Sequence, residues 1–228
     1  RKPIVLARGH LNAGVVSLDG LSALPTFADF SDALRGHGEW VGGFDFPFGL
    51  PRELVEHMGW STCWRKCIHT YASLSRPEIR NLFAAFCAAR APGHKFAHRA
   101  TDRWAGSSSS MKWVNPPVAY MLHAGVPLLI ESGVAIAGLH AGDPADVDAR
   151  GCPRRVALEA YPGLLARELL GRDSYKSDDK RKHTPLRQAR RAHLIESLVQ
   201  GRTRLALGLA LTSEQRAELL TDGSGDRL

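Results

Sequence analysis

Two carboxylates stand at corresponding places in this sequence, each at the end of an apolar run and shortly before a proline. Asp45 lies in WVGGFDFPFGLP and Glu159 lies in RRVALEAYP. An isolated charge among apolar groups costs free energy unless a cation or hydrogen-bond donors compensate it. Active sites of open α/β sheets form at the carboxyl ends of strands. If both runs are neighbouring strands, the two carboxylates can converge at that edge.

Converging carboxylates repel one another unless a cation lies between them, and hard oxygen ligands suit Mg²⁺ or Mn²⁺. Such an ion can polarise a phosphodiester and generate hydroxide for its hydrolysis. A purely structural role stays open for both residues. Asp45 can accept backbone N–H bonds in a turn or cap a helix near Pro51. Glu159 can pair with Arg154 or Arg155.

The elements that must position these carboxylates follow from hydrophobic spacing and from turn residues. Strands are predicted over residues 3–7, 13–18, 40–46 and about 154–161, with a hairpin over 126–139 that turns at 132–133. Helices are predicted near 27–36, 52–58, 163–170, 185–199 and 213–220. A further helix follows the capping-box pair Ser75 and Glu78 and ends at Pro92–Gly93. The polar segments 98–117 and 142–153 are predicted loops.

The alternation of these elements predicts a mixed α/β fold with a central sheet flanked by helices. A chain of 228 residues with 44% hydrophobic content can bury a full core, so one domain over residues 1–228 is predicted. Within it, a helical and loop insertion is expected at about 51–125. No apolar run approaches the roughly 20 residues of a membrane span, so no membrane partner is expected.

Positive charge is concentrated near the end of the chain. The net charge is +7, and much of the excess lies in YKSDDKRKHTPLRQARRAH, residues 175–193. A basic stripe is an electrostatic footprint for a phosphate backbone, so nucleic acid is the predicted partner of the segment at about 176–191. The alternative is an ordinary solvated helix face.

The four cysteines do not form the pattern of a disulfide scaffold. Cys63 and Cys67 share a face if they lie on one helix, but no second pair of zinc ligands follows at suitable spacing. The histidines of HKFAH lack the glutamate of a zinc protease. We therefore expect the cysteines to be reduced and to lie in the core of a cytoplasmic protein.

Two longer motifs resemble a known family. GFDFPFGLP, together with VALEAYPGLLARELLG and the later YK pair, resembles the bacterial family called domain of unknown function 429, which consists of predicted nucleases with a ribonuclease H-like fold. RATDR and NPPVAYMLHAGVPLLIESGV also fit that family, so the likeness runs along most of the chain. The resemblance implies a mixed five-stranded sheet flanked by helices and a cluster of acidic residues for metal-dependent hydrolysis with Mg²⁺ or Mn²⁺.

The resemblance also implies residue roles. Asp45, Glu159 and Asp226 fall on acidic positions of the family and are the predicted metal ligands and catalytic residues. The predicted substrate-binding residues are Arg99, Asp102, Tyr161 and Lys176. Arg99 and Lys176 are expected to contact phosphate, because cations stabilise charge that develops on a phosphoryl group. Simple solvated loop charges are the alternative for both.

The chain departs from the family at both ends. No aspartate of the G-x-D type precedes the first predicted strands, and TDGSGDRL matches only the opening of the family's final acidic helix. We therefore expect further fold elements beyond both ends, or a variant that cannot complete the metal site. The leading hypothesis is a nuclease that hydrolyses phosphodiester bonds. The alternatives are a catalytically inactive nucleic-acid or nucleotide-binding module and a phosphoryl transferase on the same scaffold.

Overall fold

The computed structural model describes residues 2–36, 38–177, 179–221 and 223, and within them the fold is mixed α/β. In chain order the elements are β1 (Ile4–Asn12), β2 (Val15–Leu24), α1 (Phe27–Arg35), β3 (Trp40–Phe44), α2 (Arg52–His57), α3 (Trp64–Ala72), α4 (Arg76–Ala88), α5 (Ala100–Ala105), α6 (Val118–Glu131), β4 (Ala135–Ile136), β5 (Arg155–Glu159), α7 (Pro162–Leu170), a 3₁₀ turn (Lys180–Lys182), α8 (Pro185–Val199), β6 (Gly208–Ala210) and α9 (Ser213–Thr221). None of these helices is both long enough and apolar enough to cross a membrane.

The described residues divide into two compact units. The first unit comprises Arg1–Phe30 and Gly163–Leu228, and the second unit comprises Ser31–Pro162. Each unit contains one three-stranded sheet, in the order β1-β2-β6 in the first and β3-β5-β4 in the second. The sequence pattern predicted a single central sheet, and in the described chain the strands are shared between two small ones. The predicted organisation as one functional domain stays a prediction.

The hairpin of the first unit is longer than predicted. Residues 8–12 were expected to be its turn, but they continue β1, and the chain reverses at Ala13 and Gly14. Both turn residues have positive φ, 47° and 79°, as a two-residue hairpin turn requires. The glycine and asparagine that suggested a turn lie inside the strand, where the pairing register shifts at Arg8 and Gly9.

The second unit is built on parallel pairing. β3 and β4 both run parallel to β5, so β5 is the central strand of this sheet. The core beside the sheet comes from α3, α4 and α6, where Tyr71 stacks on Phe83 with ring centroids 5.9 Å apart. The buried hydroxyl of Tyr71 donates to the carbonyl of Ala119 at 2.9 Å, and burial raises the pKa of this phenol.

The predicted hairpin over 126–139 is wrong. The first part of this run, residues 126–131, belongs to α6, and the Ser132–Gly133 pair ends that helix instead of joining two strands. Gly133 has a φ of 71°, and the amide of Val134 donates back to Leu129, as at many helix C-termini. A short apolar run without clear periodicity fits a buried helix and a buried strand equally well, which explains the error.

The predicted capping box of α4 is confirmed. The hydroxyl of Ser75 accepts from the amide of Glu78, and the Glu78 carboxylate accepts from the amide and the hydroxyl of Ser75, both at 2.7 Å. The hydrogen bond from the Ser75 hydroxyl, followed by that from its amide, lowers the pKa of Glu78. The stabilisation linked to this carboxylate is therefore present above the ordinary glutamate pKa and lost as pH falls through the lowered value.

Replacing Ser75 by Ala is expected to lower the free energy of unfolding by about 1 kcal/mol at neutral pH, because an N-cap acceptor is lost. The deficit should shrink in acid, where Glu78 is protonated in both proteins. Urea unfolding at neutral pH and at a pH well below the ordinary glutamate pKa, where Glu78 is protonated despite its lowered pKa, measures both values. A deficit that does not change with pH would show that Glu78 takes no part in it.

Candidate active site at the ends of two parallel strands

Asp45 and Glu159 lie at the carboxyl ends of two neighbouring strands, at the same edge of the second-unit sheet. Phe44 of β3 pairs with Glu159 of β5, and Asp45 is the next residue along the chain. The carbonyl of Phe44 accepts from the amide of Ala160 at 2.9 Å and from that of Phe46 at 2.8 Å. Asp45 is therefore the central residue of a three-residue turn that is hydrogen-bonded to the end of β5.

Asp45 is exposed, although its neighbours in the sequence are phenylalanines. The rings of Phe44, Phe46 and Phe48 contact one another with centroids 5.5 to 6.3 Å apart. The aromatic residues thus pack together, whereas Asp45, which lies between them in the sequence, is an exposed residue. The helix that follows, α2, has Pro51 at its N-cap and no side-chain cap.

Glu159 is held by an arginine and by a backbone amide. Its Oε1 accepts from Nη2 of Arg99 at 2.5 Å, and its Oε2 accepts from Nη1 of Arg99 at 2.8 Å. The amide of Phe48 also donates to Oε2 at 2.9 Å. A bidentate pair of this kind is among the stronger charge-assisted contacts in proteins. It fixes the loop after β3, the end of β5 and the start of α5 together.

The arginines predicted to pair with Glu159 have other partners. Arg154 lies 3.5 Å from Glu39, and Arg155 donates from Nε to Asp146 at 2.5 Å. Both residues are close to Glu159 in the sequence, but Arg99, 60 positions away, supplies the cation. Spacing along β5 therefore did not identify the partner.

Asp102 binds the same arginine from the opposite side. Its Oδ1 accepts from Nε and Nη2 of Arg99 at 2.9 and 2.6 Å. Its Oδ2 accepts from the backbone amides of Arg99 and Ser110 at 3.1 and 3.2 Å. The Asp102 side chain is only 1% exposed, so its charge depends on these donors. The segment 98–117, predicted to be irregular, contains α5, whose first turn places Asp102 beside Arg99.

The guanidinium of Arg99 lies between two carboxylates, with 16% of its side chain exposed. Burial acts to lower the pKa of Arg99, but the hydrogen bonds and charges of Glu159 and Asp102 outweigh burial and raise it. Arg99 is therefore a permanent cation at this sheet edge. We call Arg99, Asp102 and Glu159 the Arg99 network.

Phe48 connects the Arg99 network to a small cavity that the sequence did not suggest. Its carbonyl accepts from Nε1 of Trp64 at 2.6 Å. Trp64 also lines a cavity of about 180 Å³, whose other lining residues include the apolar Leu50, Val55 and Ile68, the thiol of Cys67 and the polar Arg52, Ser61 and Thr62. Burial raises the pKa of Cys67, so this thiol is kept protonated. A tryptophan shortly after F-G-L-P is the only sequence signal that pointed to this packing.

The loop that carries Asp45 is also packed against α6. A Cβ atom built at Gly125 would lie 2.5 Å from Cζ of Phe46 and would overlap the ring. Only glycine lets the Phe46 ring approach the α6 backbone this closely. The glycine thereby fixes the position of the turn at Asp45.

Replacing Gly125 by Ala is expected to lower the free energy of unfolding by about 2 kcal/mol, because the added methyl group overpacks this contact. Denaturant unfolding measures the change. Gly20→Ala is the control, since no heavy atom lies within 4 Å of its Cβ position. Shortening Phe46 to Leu in the Gly125→Ala chain should restore part of the loss. No recovery would show that the ring is not the obstacle.

The remaining predicted site residues are Tyr161, Lys176 and Asp226. Tyr161 is half-buried, two positions after Glu159. Lys176 belongs to the first unit, where its exposed side chain places Nζ 5.7 Å from the centre of the Tyr175 ring. Asp226 lies outside the described residues. Of the predicted site residues, the hydrogen bonds described above therefore join Arg99, Asp102 and Glu159.

The described residues contain no group of three or more histidine, cysteine, aspartate or glutamate side chains placed to hold a metal ion. Asp45 and Glu159 are two carboxylates at one edge, and both oxygens of Glu159 already accept hydrogen bonds. The described donor set is therefore incomplete for a two-metal centre. An ion at this edge would have to compete with Arg99 for Glu159.

No protein-family model matches the chain, and neither does any curated protein or solved structure. The likeness to the domain of unknown function 429 family therefore remains a prediction drawn from the sequence motifs. The geometry of the Arg99 network stands independently of it.

Proposed function

We propose that this protein is a divalent-metal-dependent nuclease with a ribonuclease H-like fold, acting on phosphodiester bonds at the edge that carries Asp45 and Glu159. The observation that carries the proposal is the parallel register of β3 and β5, which pairs Phe44 with Glu159. This register brings residues 45 and 159 to the same sheet edge, at the carboxyl ends of parallel strands, where active sites of α/β sheets form. The family motifs that contain both residues support the same assignment.

Asp45 and Glu159 are the residues that would hold Mg²⁺ or Mn²⁺, and the ion would supply Lewis-acid polarisation of the phosphodiester. Arg99 has a complementary role in the proposal. Once it is displaced from Glu159, its guanidinium remains tethered to Asp102 and can bind a phosphate oxygen at the same edge. The buried Asp102 thus serves as the anchor that keeps this cation in place.

The bidentate contact between Arg99 and Glu159 favours a second candidate, a nucleic-acid or nucleotide-binding module without catalysis. In that case Arg99 permanently replaces the metal as the partner of Glu159. Binding would be salt-sensitive, because affinity for a phosphate backbone arises largely from counterion release. Nucleic-acid binding would also be insensitive to Asp45→Asn, since the Asp45 carboxylate would hold no metal ion.

Titration with Mg²⁺ or Mn²⁺ during cleavage of DNA, RNA and hybrid substrates tests the proposal. We expect turnover that rises with the ion, stops on chelation and declines with salt. Tight, salt-dependent binding without turnover at any metal concentration would instead select the binding module. All four cysteines are free in the described structure; Cys67 and Cys87 are buried, whereas Cys63 and Cys152 are exposed, so the expected core position is wrong for these two. A cytoplasmic location is part of this proposal.

A further inference from the structure

The first unit contains a cavity of about 440 Å³ at the beginning of α8. Side chains and backbone of two separate segments line it, chiefly His183, Thr184, Arg187, Gln188, Arg191 and Leu220. The sequence suggested only a basic stripe along residues 176–191. The structure gathers part of that stripe around one concave space.

The described lining of this cavity is rich in hydrogen-bond donors and contains no carboxylate. Arg191 is buried, with 4% of the residue exposed, and its Nη2 donates to the carbonyls of Tyr175 and Gly223 at 2.7 and 3.0 Å. These two bonds hold the guanidinium in a fixed position in the cavity wall. Arg191 therefore contributes a fixed positive charge to the cavity wall.

Arg187 differs from the other arginines of this segment. Arg190 pairs with Asp173 at 2.7 Å, and Arg181 pairs with Asp179 at 3.0 Å. Arg187 donates to the carbonyl of Lys182 at 2.5 Å, and it forms no ion pair with a carboxylate in the part of the chain that the structure describes. Among the described residues Arg187, which lines the cavity, therefore has no carboxylate that neutralises its charge, whereas Arg181 and Arg190, which do not line it, are each paired with one.

We propose that this cavity binds a phosphate group. Arg187 presents a planar, charged donor beside the fixed positive charge of Arg191, Gln188 adds a neutral amide and Thr184 a hydroxyl, and phosphate offers the several acceptor oxygens that such a set requires. The inference goes beyond the proposed nuclease, because the cavity lies in the first unit and includes none of the residues at the strand ends. The phosphate can belong to a nucleic-acid strand or to a free phosphorylated compound.

Calorimetric titration with pyrophosphate tests the site in the full chain, with EDTA present so that cleavage plays no part. Arg187→Gln is expected to weaken pyrophosphate binding about tenfold, since a charge-assisted donor is lost. Arg190→Gln is the charge-matched control on the same helix, and it should change the affinity by less than about twofold, because its pair with Asp173 lies outside the cavity. Gln188→Glu places a negative charge on the exposed rim and should also weaken binding, and it decides the test if Arg187→Gln fails to fold.

A fluorescent single-stranded oligonucleotide identifies the source of the phosphate. Displacement of the oligonucleotide by pyrophosphate, with the same loss in Arg187→Gln, assigns the cavity to nucleic acid. Alternatively, pyrophosphate binding is lost in Arg187→Gln, but pyrophosphate does not displace the oligonucleotide. This result assigns the cavity to a free phosphorylated compound. Equal weakening in Arg187→Gln and Arg190→Gln would overturn the proposal, because bulk charge alone would then explain binding. Pyrophosphate binding that is undiminished both in Gln188→Glu and in Arg187→Gln would also overturn the proposal.

Discussion

Asp45→Asn and Glu159→Gln are each expected to lower metal-dependent cleavage by about a thousandfold, because each removes a charged ligand from the site that stabilises the transition state. Initial rates on a labelled substrate at saturating Mn²⁺ measure the loss. The two substitutions differ in a second respect. Glu159→Gln also breaks the contact with Arg99, so it should destabilise the fold, and thermal unfolding of each variant separates this loss from the catalytic one.

Asp32→Asn is the matched control for these variants. Asp32 also belongs to the second unit, but its side chain is 79% exposed and lies 3.8 Å from Arg35. Its removal should leave the cleavage rate unchanged. Cleavage that persists in both Asp45→Asn and Glu159→Gln would come from a contaminant or another site, and the nuclease proposal would then be abandoned.

Arg99→Gln is expected to lower the free energy of unfolding by about 3 kcal/mol, because it leaves the charge of Asp102 buried without its cation. Asp102 is 1% exposed, so solvent cannot replace the guanidinium. Chemical denaturation measures the difference. The control is Arg154→Gln, whose contact with Glu39 is exposed and should contribute at most about 1 kcal/mol. Equal losses in the two variants would show that the Arg99 network is no stronger than a surface pair.

The same variant separates the two candidate functions through metal binding. If Asp45 and Glu159 hold a divalent ion, removing Arg99 frees Glu159, and Mn²⁺ should bind Arg99→Gln more tightly than the unaltered protein. If Arg99 permanently replaces the metal, neither protein should bind Mn²⁺ at this edge. Calorimetric titration with Mn²⁺ distinguishes these results, and Arg99→Gln/Asp45→Asn is the control that should lose any gain.

Features that depend on neighbouring residues were predicted well. The helix over 185–199 is observed as Pro185–Val199, with Thr184 as its N-cap and proline in the first turn. The capping box of Ser75 and Glu78 formed as its spacing indicated. These features can be predicted from the sequence because the groups that form the hydrogen bonds lie within one helical turn. The spacing alone therefore specifies the contact.

Features that depend on burial were predicted less well. The run over 126–139 formed α6 and the short β4 instead of a hairpin, because apolar content alone does not distinguish a buried helix from a buried strand. The segment 98–117 was predicted to be a loop, yet it contains α5 and the buried Asp102. The polar sequence of this segment did not indicate that Asp102 is buried, because Asp102 is buried together with the guanidinium of Arg99.

The sequence by itself determined that Asp45 and Glu159 would lie at the ends of two strands. The apolar runs before these residues form the strands, and the prolines after them end the strands. Only the tertiary structure decided that Arg99, among 30 basic residues, would meet Glu159, and that Asp102 would be buried while Asp45 is exposed. The reason is physical. Strand ends and caps depend on local spacing, whereas the partner of a charge depends on which distant segment the packing of the chain brings within hydrogen-bonding distance.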